Sequence, residues 1–163
     1  MAQVTDLLCW GEIFKLGFVA KAITTFYKNL PGFNIIIASN ETESAREMEA
    51  MNPKAFKAVL VDVMRPETYE AYVKQCDIAI SLVPAVLHMK ICNICLKNSK
   101  NLVTSSYVSP DMQKLDSEVR AKGLTFLNEC GLDPGIDHLA TMLTIGNFLQ
   151  LKQQNISKPA AGS

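Results

Sequence analysis

Residues with chemistry to offer are concentrated in Gly131-Leu132-Asp133-Pro134-Gly135-Ile136-Asp137-His138. Two carboxylates and an imidazole sit there among two glycines and a proline. The run follows the apolar Leu124-Thr125-Phe126-Leu127 and leads into the helix-like Leu139-Ala140-Thr141-Met142-Leu143. It is therefore expected to join a strand to a helix, where α/β folds place ligand-binding loops. Asp137 and His138 are adjacent, and adjacent residues do not face each other on a helix. They are not read as an acid–base pair.

Further loops are expected at the same edge. Lys15-Leu16-Gly17-Phe18-Val19-Ala20 is half of a dinucleotide loop. Such a loop uses G-x-G-x-x-G/A, so that backbone approaches a pyrophosphate at a helix N-terminus. Gly17 and Ala20 fill the second and third small positions, Lys15 replaces the first glycine, and Gly11 lies four residues too early. About 20 residues further on, where a ribose selector belongs, stands Asn40. It is neither the acid that favours NAD nor the arginine that favours NADP, and it is equally suited to cap a helix. Asp62 and Val63 are placed to meet an adenine edge, or Asp62 caps a turn. Ser81-Leu82-Val83-Pro84 and Thr104-Ser105-Ser106-Tyr107 follow central strands and should border a nicotinamide. Their hydroxyls can orient a polar substrate or simply open the next helix. His88, near the start of a helix, reads more readily as structural.

These loops need a scaffold that alternates strand and helix. Strands are expected at Val4 to Trp10, Phe33 to Ala38, Phe56 to Val61, Asp77 to Val83, Asn101 to Thr104 and Gly123 to Leu127. Between them lie helices at Phe18 to Tyr27, with Val19, Ile23 and Phe26 as one apolar face, and at Glu41 to Met51. Others are expected at Pro66 to Gln75, Ala85 to Lys97 and Pro110 to Lys122, the last capped by Ser109. Continuous apolar strands alternating with helices, with no two-residue hairpin turns, give a doubly wound parallel sheet. This Rossmann-like α/β fold has about six strands and helices on both faces.

Composition narrows the functional classes. The chain has 163 residues, 48% of them apolar and 20% charged, with 16 basic balancing 16 acidic. That is a globular composition. No basic stripe suggests nucleic acid, no apolar run suggests a membrane span, and no N-terminal basic and apolar segment suggests a secretory signal. A cytoplasmic location is the expectation. Five cysteines give no disulfide framework. Cys92-Asn93-Ile94-Cys95 with His88 has i, i+4, i+7 spacing, so a thiol-redox or metal site is conceivable. Small apolar core residues on a helix are the stronger reading, and no metal is expected.

Taken together the loops resemble the saccharopine dehydrogenase (L-glutamate-forming) family, from about Gly17 to Ile145. The resemblance is carried by Leu16-Gly17-Phe18-Val19-Ala20, by Cys76-Asp77-Ile78-Ala79-Ile80-Ser81-Leu82-Val83-Pro84 with His88, and by Val103-Thr104-Ser105-Ser106-Tyr107-Val108-Ser109-Pro110. The last string is Asn128-Glu129-Cys130-Gly131-Leu132-Asp133-Pro134-Gly135-Ile136-Asp137-His138. It implies an oxidoreductase of the aminoadipate route of lysine metabolism. Such an enzyme interconverts saccharopine with glutamate and 2-aminoadipate 6-semialdehyde, using NADP or NAD. By that resemblance the cofactor meets Gly17, Phe18, Val19, Asn40, Asp62, Val63, Val83, Ser105, Leu132 and Pro134. Saccharopine meets Ser106, Tyr107 and Asp133, the carboxylate being suited to a cationic substrate nitrogen.

Family members continue into a second domain that closes over the substrate. Residues 1–130 are thus expected to form the dinucleotide-binding domain, 131–150 the start of a shortened substrate domain, and 151–163 a disordered tail. On that expectation the chain alone is weakly active or inactive. The alternative is a non-enzymatic Rossmann remnant serving as a structural or binding subunit. Ile136, Leu139, Met142, Leu143, Ile145 and Phe148 are expected to form an apolar face, available to a second copy or a partner protein.

Overall fold

The computed structural model describes residues 5–11 and 18–156. Lys15, Leu16 and Gly17, and with them the half-intact glycine loop, lie outside the described residues. Six strands form one sheet: β1 (Thr5–Gly11), β2 (Phe33–Ser39), β3 (Phe56–Leu60), β4 (Ile78–Leu82), β5 (Asn101–Thr104) and β6 (Phe126–Leu127). Their order is β3-β2-β1-β4-β5-β6, and every neighbouring pair is parallel. This is the doubly wound arrangement, whose strand order reverses between β1 and β4.

The helices are α1 (Phe18–Tyr27), α2 (Thr42–Glu49), α3 (Glu70–Gln75), α4 (His88–Lys97), α5 (Pro110–Lys114), α6 (Asp116–Ala121) and α7 (Ile136–Ile156). Two cores result, because successive strand residues point to opposite faces. Ile35 and Ile37 of β2 pack with Ala20 of α1, Ala45 and Met48 of α2, and Phe56. Ala38 of the same strand joins the other core, with Val73 of α3, Ala79, Leu102, and Ile91, Cys92 and Cys95 of α4.

Local chemistry explains where the helices start and stop. Pro66 opens a single 3-10 turn, Pro66–Thr68, before α3 begins, so the segment expected as one helix is two short pieces. Likewise Ala85–Leu87 is a 3-10 turn ahead of α4. Ser109 caps α5 as expected, its Oγ accepting from the Met112 N–H at 3.2 Å. α2 is capped by Glu41 rather than Asn40: the Glu41 carboxylate accepts from the N–H groups of Glu43 and Ser44.

Two expectations about apolar faces need correction. On α1, Val19 and Phe26 are exposed, Phe26 by 68%, while Ala20 and Thr24 are buried and only Ile23 of the expected face packs against the core. Thr24 remains satisfied there by donating back to Ala20 O at 3.0 Å. On α7 the expected apolar residues are all exposed, together with Leu149. At about 100° per residue they spread over more than half of the circumference, so they form no single stripe. α7 also continues to Ile156, into the segment 151–163 that is expected as a tail. The sequence there is rich in good helix formers and has no proline before Pro159.

Candidate active site

Phe18 and Val19 open α1, after β1. The other expected site residues within the described part follow the carboxyl ends of strands and divide into two groups. Asn40 follows β2, and Asp62 and Val63 follow β3, on one side of the reversal point. Val83 follows β4, Ser105 to Tyr107 follow β5, and Leu132 to Pro134 follow β6, on the other. Between them β1 ends at Gly11, paired with Ser39 of β2 and Leu82 of β4. A parallel sheet opens its ligand crevice at this point.

On the β2–β3 side the contacts are chiefly structural. Asp62 does cap a turn: its Oδ1 accepts from the Met64 N–H at 2.8 Å, and Arg65 lies 3.7 Å from its other oxygen. Val63 is 1% exposed and belongs to the core. Its carbonyl accepts from the Tyr69 hydroxyl at 3.4 Å, and burial pushes that phenol up to about 12. Val83, across the reversal point after β4, is 4% exposed and likewise a core residue. A ligand would meet these two valines through backbone rather than side chain.

The β5–β6 side is more highly organised. The loop after β6 folds back over the loop after β5. Cys130 N donates to Thr104 O at 3.0 Å, Glu129 N to Ser106 O at 3.1 Å, and Val108 N to the Glu129 carboxylate at 3.2 Å. Thr104 Oγ1 donates to Asn128 Oδ1 at 3.1 Å. Gly131 lies against Ser105: a Cβ on Gly131 would come within 3.3 Å of the Ser105 carbonyl. Gly131 and Gly135 form an isolated parallel bridge, and Gly135 has φ +142°. A Cβ there would stand 2.2 Å from Gly131 O, so the turn requires glycine.

This double loop sets Asp133 beside Tyr107. The Tyr107 hydroxyl donates to Asp133 Oδ1 at 2.7 Å, and that hydrogen bond raises the phenol above its ordinary range. The phenol therefore holds its proton at neutral pH. Both residues are exposed, so a ligand can reach both. The pair offers an anion to a cationic nitrogen, and a hydroxyl that can pass or share a proton with a neighbouring lone pair.

Asp137 and His138 do meet, contrary to the expectation. His138 Nδ1 lies 3.0 Å from Asp137 Oδ1. Both side chains turn back over the start of α7 toward the Gly135 N–H, which donates to Asp137 at 3.0 Å. In the first turn side chains can fold over the helix end, so the rule for a helix interior does not apply. His138 also stands edge-on to Tyr107, with ring centroids 6.2 Å apart.

His88 was read as structural from its residue type. It is buried and bonded at both ring nitrogens, to Ser81 and to Ser106. Sequence reasoning missed the link because the three residues come from three elements. Cys92 and Cys95 are core residues, and burial pushes the Cys92 thiol up to about 12 and the Cys95 thiol higher still. Among the described residues no cluster of histidine, cysteine and carboxylate side chains could hold a metal. None of the described helices is long and apolar enough to cross a membrane.

Comparison with known proteins agrees with this fold. Residues 15–127 match the family model described as the saccharopine dehydrogenase NADP binding domain. Saccharopine dehydrogenase [NADP(+), L-glutamate-forming] of Saccharomyces cerevisiae is 33% identical over 129 residues, 79% of this chain and 28% of that protein. Alpha-aminoadipic semialdehyde synthase of Arabidopsis thaliana is 37% identical over 115 residues, 70% of this chain and 11% of that protein. The mitochondrial alpha-aminoadipic semialdehyde synthase of Mus musculus is 31% identical and covers 83% of this chain. The apo yeast saccharopine dehydrogenase structure superposes with TM-score 0.76 at 31% identity, covering 88% of this chain and 31% of that one. A shikimate dehydrogenase of Mycobacterium tuberculosis, 16% identical with TM-score 0.57, shares the fold alone. The chain spans under a third of the yeast protein and a smaller share of the synthases. With more than half of its length matched by the family model, and with the parallel sheet and β5–β6 loops described above, the chain belongs to the saccharopine dehydrogenase family.

Proposed function

We propose that this chain supplies the nucleotide half of an NADP-dependent saccharopine dehydrogenase. In that role it binds NADP(H) along the carboxyl edge of the sheet and holds saccharopine against Tyr107 and Asp133. The reaction would interconvert saccharopine with glutamate and 2-aminoadipate 6-semialdehyde. NADP rather than NAD is favoured by the descriptions of the family model and of the yeast relative. The observation that carries the substrate reading is the Tyr107–Asp133 hydrogen bond, made between the loop after β5, which is expected to border the nicotinamide, and the loop after β6.

The described residues fit a dinucleotide. The strand order reverses beside β1, and α1 starts just beyond its carboxyl end with no acidic residue in its first turn to repel a pyrophosphate. When bound, the nicotinamide would supply or accept a hydride at the substrate carbon. The protein's own part is to orient and charge the site. Asp133 attracts the secondary amine in its cationic form, Tyr107 holds a proton beside it, and the Leu132–Pro134 turn keeps both loops in register. Lys15 in place of the first loop glycine implies nucleotide binding weaker than an intact loop would give.

Isothermal titration of the purified chain with NADPH and with NADH tests the reading. Heat and thermal stabilisation with NADPH, tightened by Lys15→Gly, are expected. Neither signal with either nucleotide at about millimolar concentration, where even weak sites fill, would overturn it.

A further inference from the structure

Ser81, His88 and Ser106 form a file of side chains running from the core to the site. Ser81 lies in β4 and is fully buried, with its Oγ 2.7 Å from His88 Nδ1. His88 is the first residue of α4 and is 2% exposed, with its Nε2 2.8 Å from Ser106 Oγ. Ser106 is only partly buried and precedes Tyr107 in the substrate loop. The imidazole therefore bridges a buried hydroxyl and one at the edge of the site.

The hydrogens along this file have a definite direction. Burial holds His88 below its ordinary range, so the ring is neutral and has one N–H and one lone pair. A buried hydroxyl hydrogen without an acceptor is costly. Among the described residues the partner of Ser81 Oγ is His88 Nδ1. Ser81 therefore donates to Nδ1, and the ring hydrogen sits on Nε2. Nε2–H in turn donates to Ser106 Oγ, which leaves the Ser106 hydrogen unspent on the ring. In the opposite tautomer Ser106 would donate inward and present only lone pairs to a ligand, which would repel a carboxylate.

We propose that His88 is a positioning residue, locked by Ser81 as its Nε2–H tautomer, and that it makes Ser106 a hydrogen-bond donor to a carboxylate oxygen of the amino-acid substrate. The ligand half of this proposal rests on the substrate reading given above; the tautomer does not. The arrangement complements Asp133 nearby. One loop offers a donor suited to a carboxylate, and the other a carboxylate suited to an ammonium or amine.

Ring-nitrogen NMR on the uniformly 15N-labelled 163-residue chain reads the tautomer directly. Above neutral pH, His88 Nδ1 should resonate as an unprotonated nitrogen and Nε2 as a protonated one. The Nδ1 signal should move further toward the free, unbonded position in Ser81→Ala. A protonated Nδ1 in the wild type overturns the proposal, and this holds even if the variants fail to fold. Saccharopine titrated into the same sample should shift the Nε2 signal. Ser106→Ala should weaken saccharopine binding by about tenfold or more, as for a hydrogen bond to a charged group, while Ser106→Thr, which keeps the hydroxyl, should stay near wild type. Equal affinity in Ser106→Ala overturns the donor role. NADPH binding is scored separately. A chain that binds NADPH but carries a protonated Nδ1 refutes the His88 assignment alone. A chain with the Nε2–H ring that binds no NADPH refutes the nucleotide reading alone.

Discussion

Tyr107 donates its phenolic hydrogen to Asp133 Oδ1 at 2.7 Å, although 26 residues separate the two in sequence. The contact exists because the loop after β6 lies over the loop after β5, held by the backbone bonds of Glu129 and Cys130. The bond raises the Tyr107 phenol above its ordinary value near 10. Asp133→Asn is therefore expected to bring that titration back down. The check is ultraviolet absorbance against pH for wild type, Asp133→Asn and Tyr107→Phe, since subtracting the last isolates Tyr107 from Tyr27, Tyr69 and Tyr72. A Tyr107 titration that Asp133→Asn leaves unmoved would show that the pair is not held in solution.

Three glycines should respond to alanine in three different ways. Gly135→Ala places a Cβ 2.2 Å from Gly131 O and 2.9 Å from Glu129 O at φ +142°. With backbone on both sides nothing can yield cheaply, and the cost should reach about 3 kcal/mol or appear as a local opening of the double loop. Gly123→Ala meets no atom within 4 Å but sits at φ +66°, so about 1–2 kcal/mol is expected from conformation alone. Gly146→Ala is inside α7 with open space around its Cβ and should stabilise by about 0.5–1 kcal/mol. Urea unfolding of the three variants measures the order. Gly135→Ala matching Gly123→Ala would contradict the geometry of the turn.

The parts of this fold that could be read from sequence are those written as local patterns. The apolar run Phe33 to Ala38 gave its strand within one residue of the observed end, and Ser109 gave its cap, whereas the strand expected over Gly123 to Leu127 is only Phe126–Leu127. Which side of a helix faces the sheet is not a local property. On α1 it is Ala20, Ile23 and Thr24 that go inside while Val19 and Phe26 stay out. The candidate site divides in the same way. Loop membership at the carboxyl edge follows from strand order, so Ser106, Tyr107 and Asp133 were legible together. The Ser81–His88–Ser106 file was not, because its members are joined only by packing of β4, α4 and the loop after β5. Nor was the Asp137–His138 contact, which depends on side chains folding over a helix end.

His88 should give folding stability a pH dependence. Burial keeps its folded-state value below the ordinary 6.5. The unfolded chain takes up a proton that the folded chain resists, so the unfolded state binds more protons in this window. Stability from this group is complete above about pH 6.5 and is lost as pH falls from there through the folded value. The slope cannot exceed about 1.4 kcal/mol per pH unit. Urea unfolding between about pH 7.5 and 5.5 should show it in wild type. The difference from His88→Gln removes the contributions common to both. Equal slopes in the two proteins would mean that His88 is not held neutral.

Thiol reactivity should separate Cys130 from the C-x-x-C pair. Cys130 is exposed, whereas Cys76, Cys92 and Cys95 are buried, and burial pushes Cys92 up to about 12. The thiolate is the reactive form. In a Cys9→Ser background, a fast phase of labelling by an aromatic disulfide in the native protein is expected to vanish when Cys130→Ser is added and to persist when Cys92→Ser is added. Loss of the fast phase in Cys92→Ser would restore the redox reading of that pair.

The apolar residues of α7 and those of the sheet core should behave in opposite ways when replaced. Leu139 and Leu143 are 72% and 67% exposed, so burial contributes little to their presence in the folded chain. Leu139→Glu/Leu143→Glu is expected to change unfolding free energy by no more than about 0.5 kcal/mol, as for other surface changes. Ile91 of α4, fully buried in the core, should cost about 2–5 kcal/mol as Ile91→Ala, the sum of lost transfer energy and the cavity left behind. The two variants lie in different elements, one exposed and the other buried, so their effects should add when combined. Denaturant unfolding with sedimentation on the same samples checks both statements. A marked loss of stability in the α7 double variant would show that these leucines are covered in solution. A fall in sedimenting mass in that variant would identify the cover as a second copy of the chain, and an unchanged mass would exclude it.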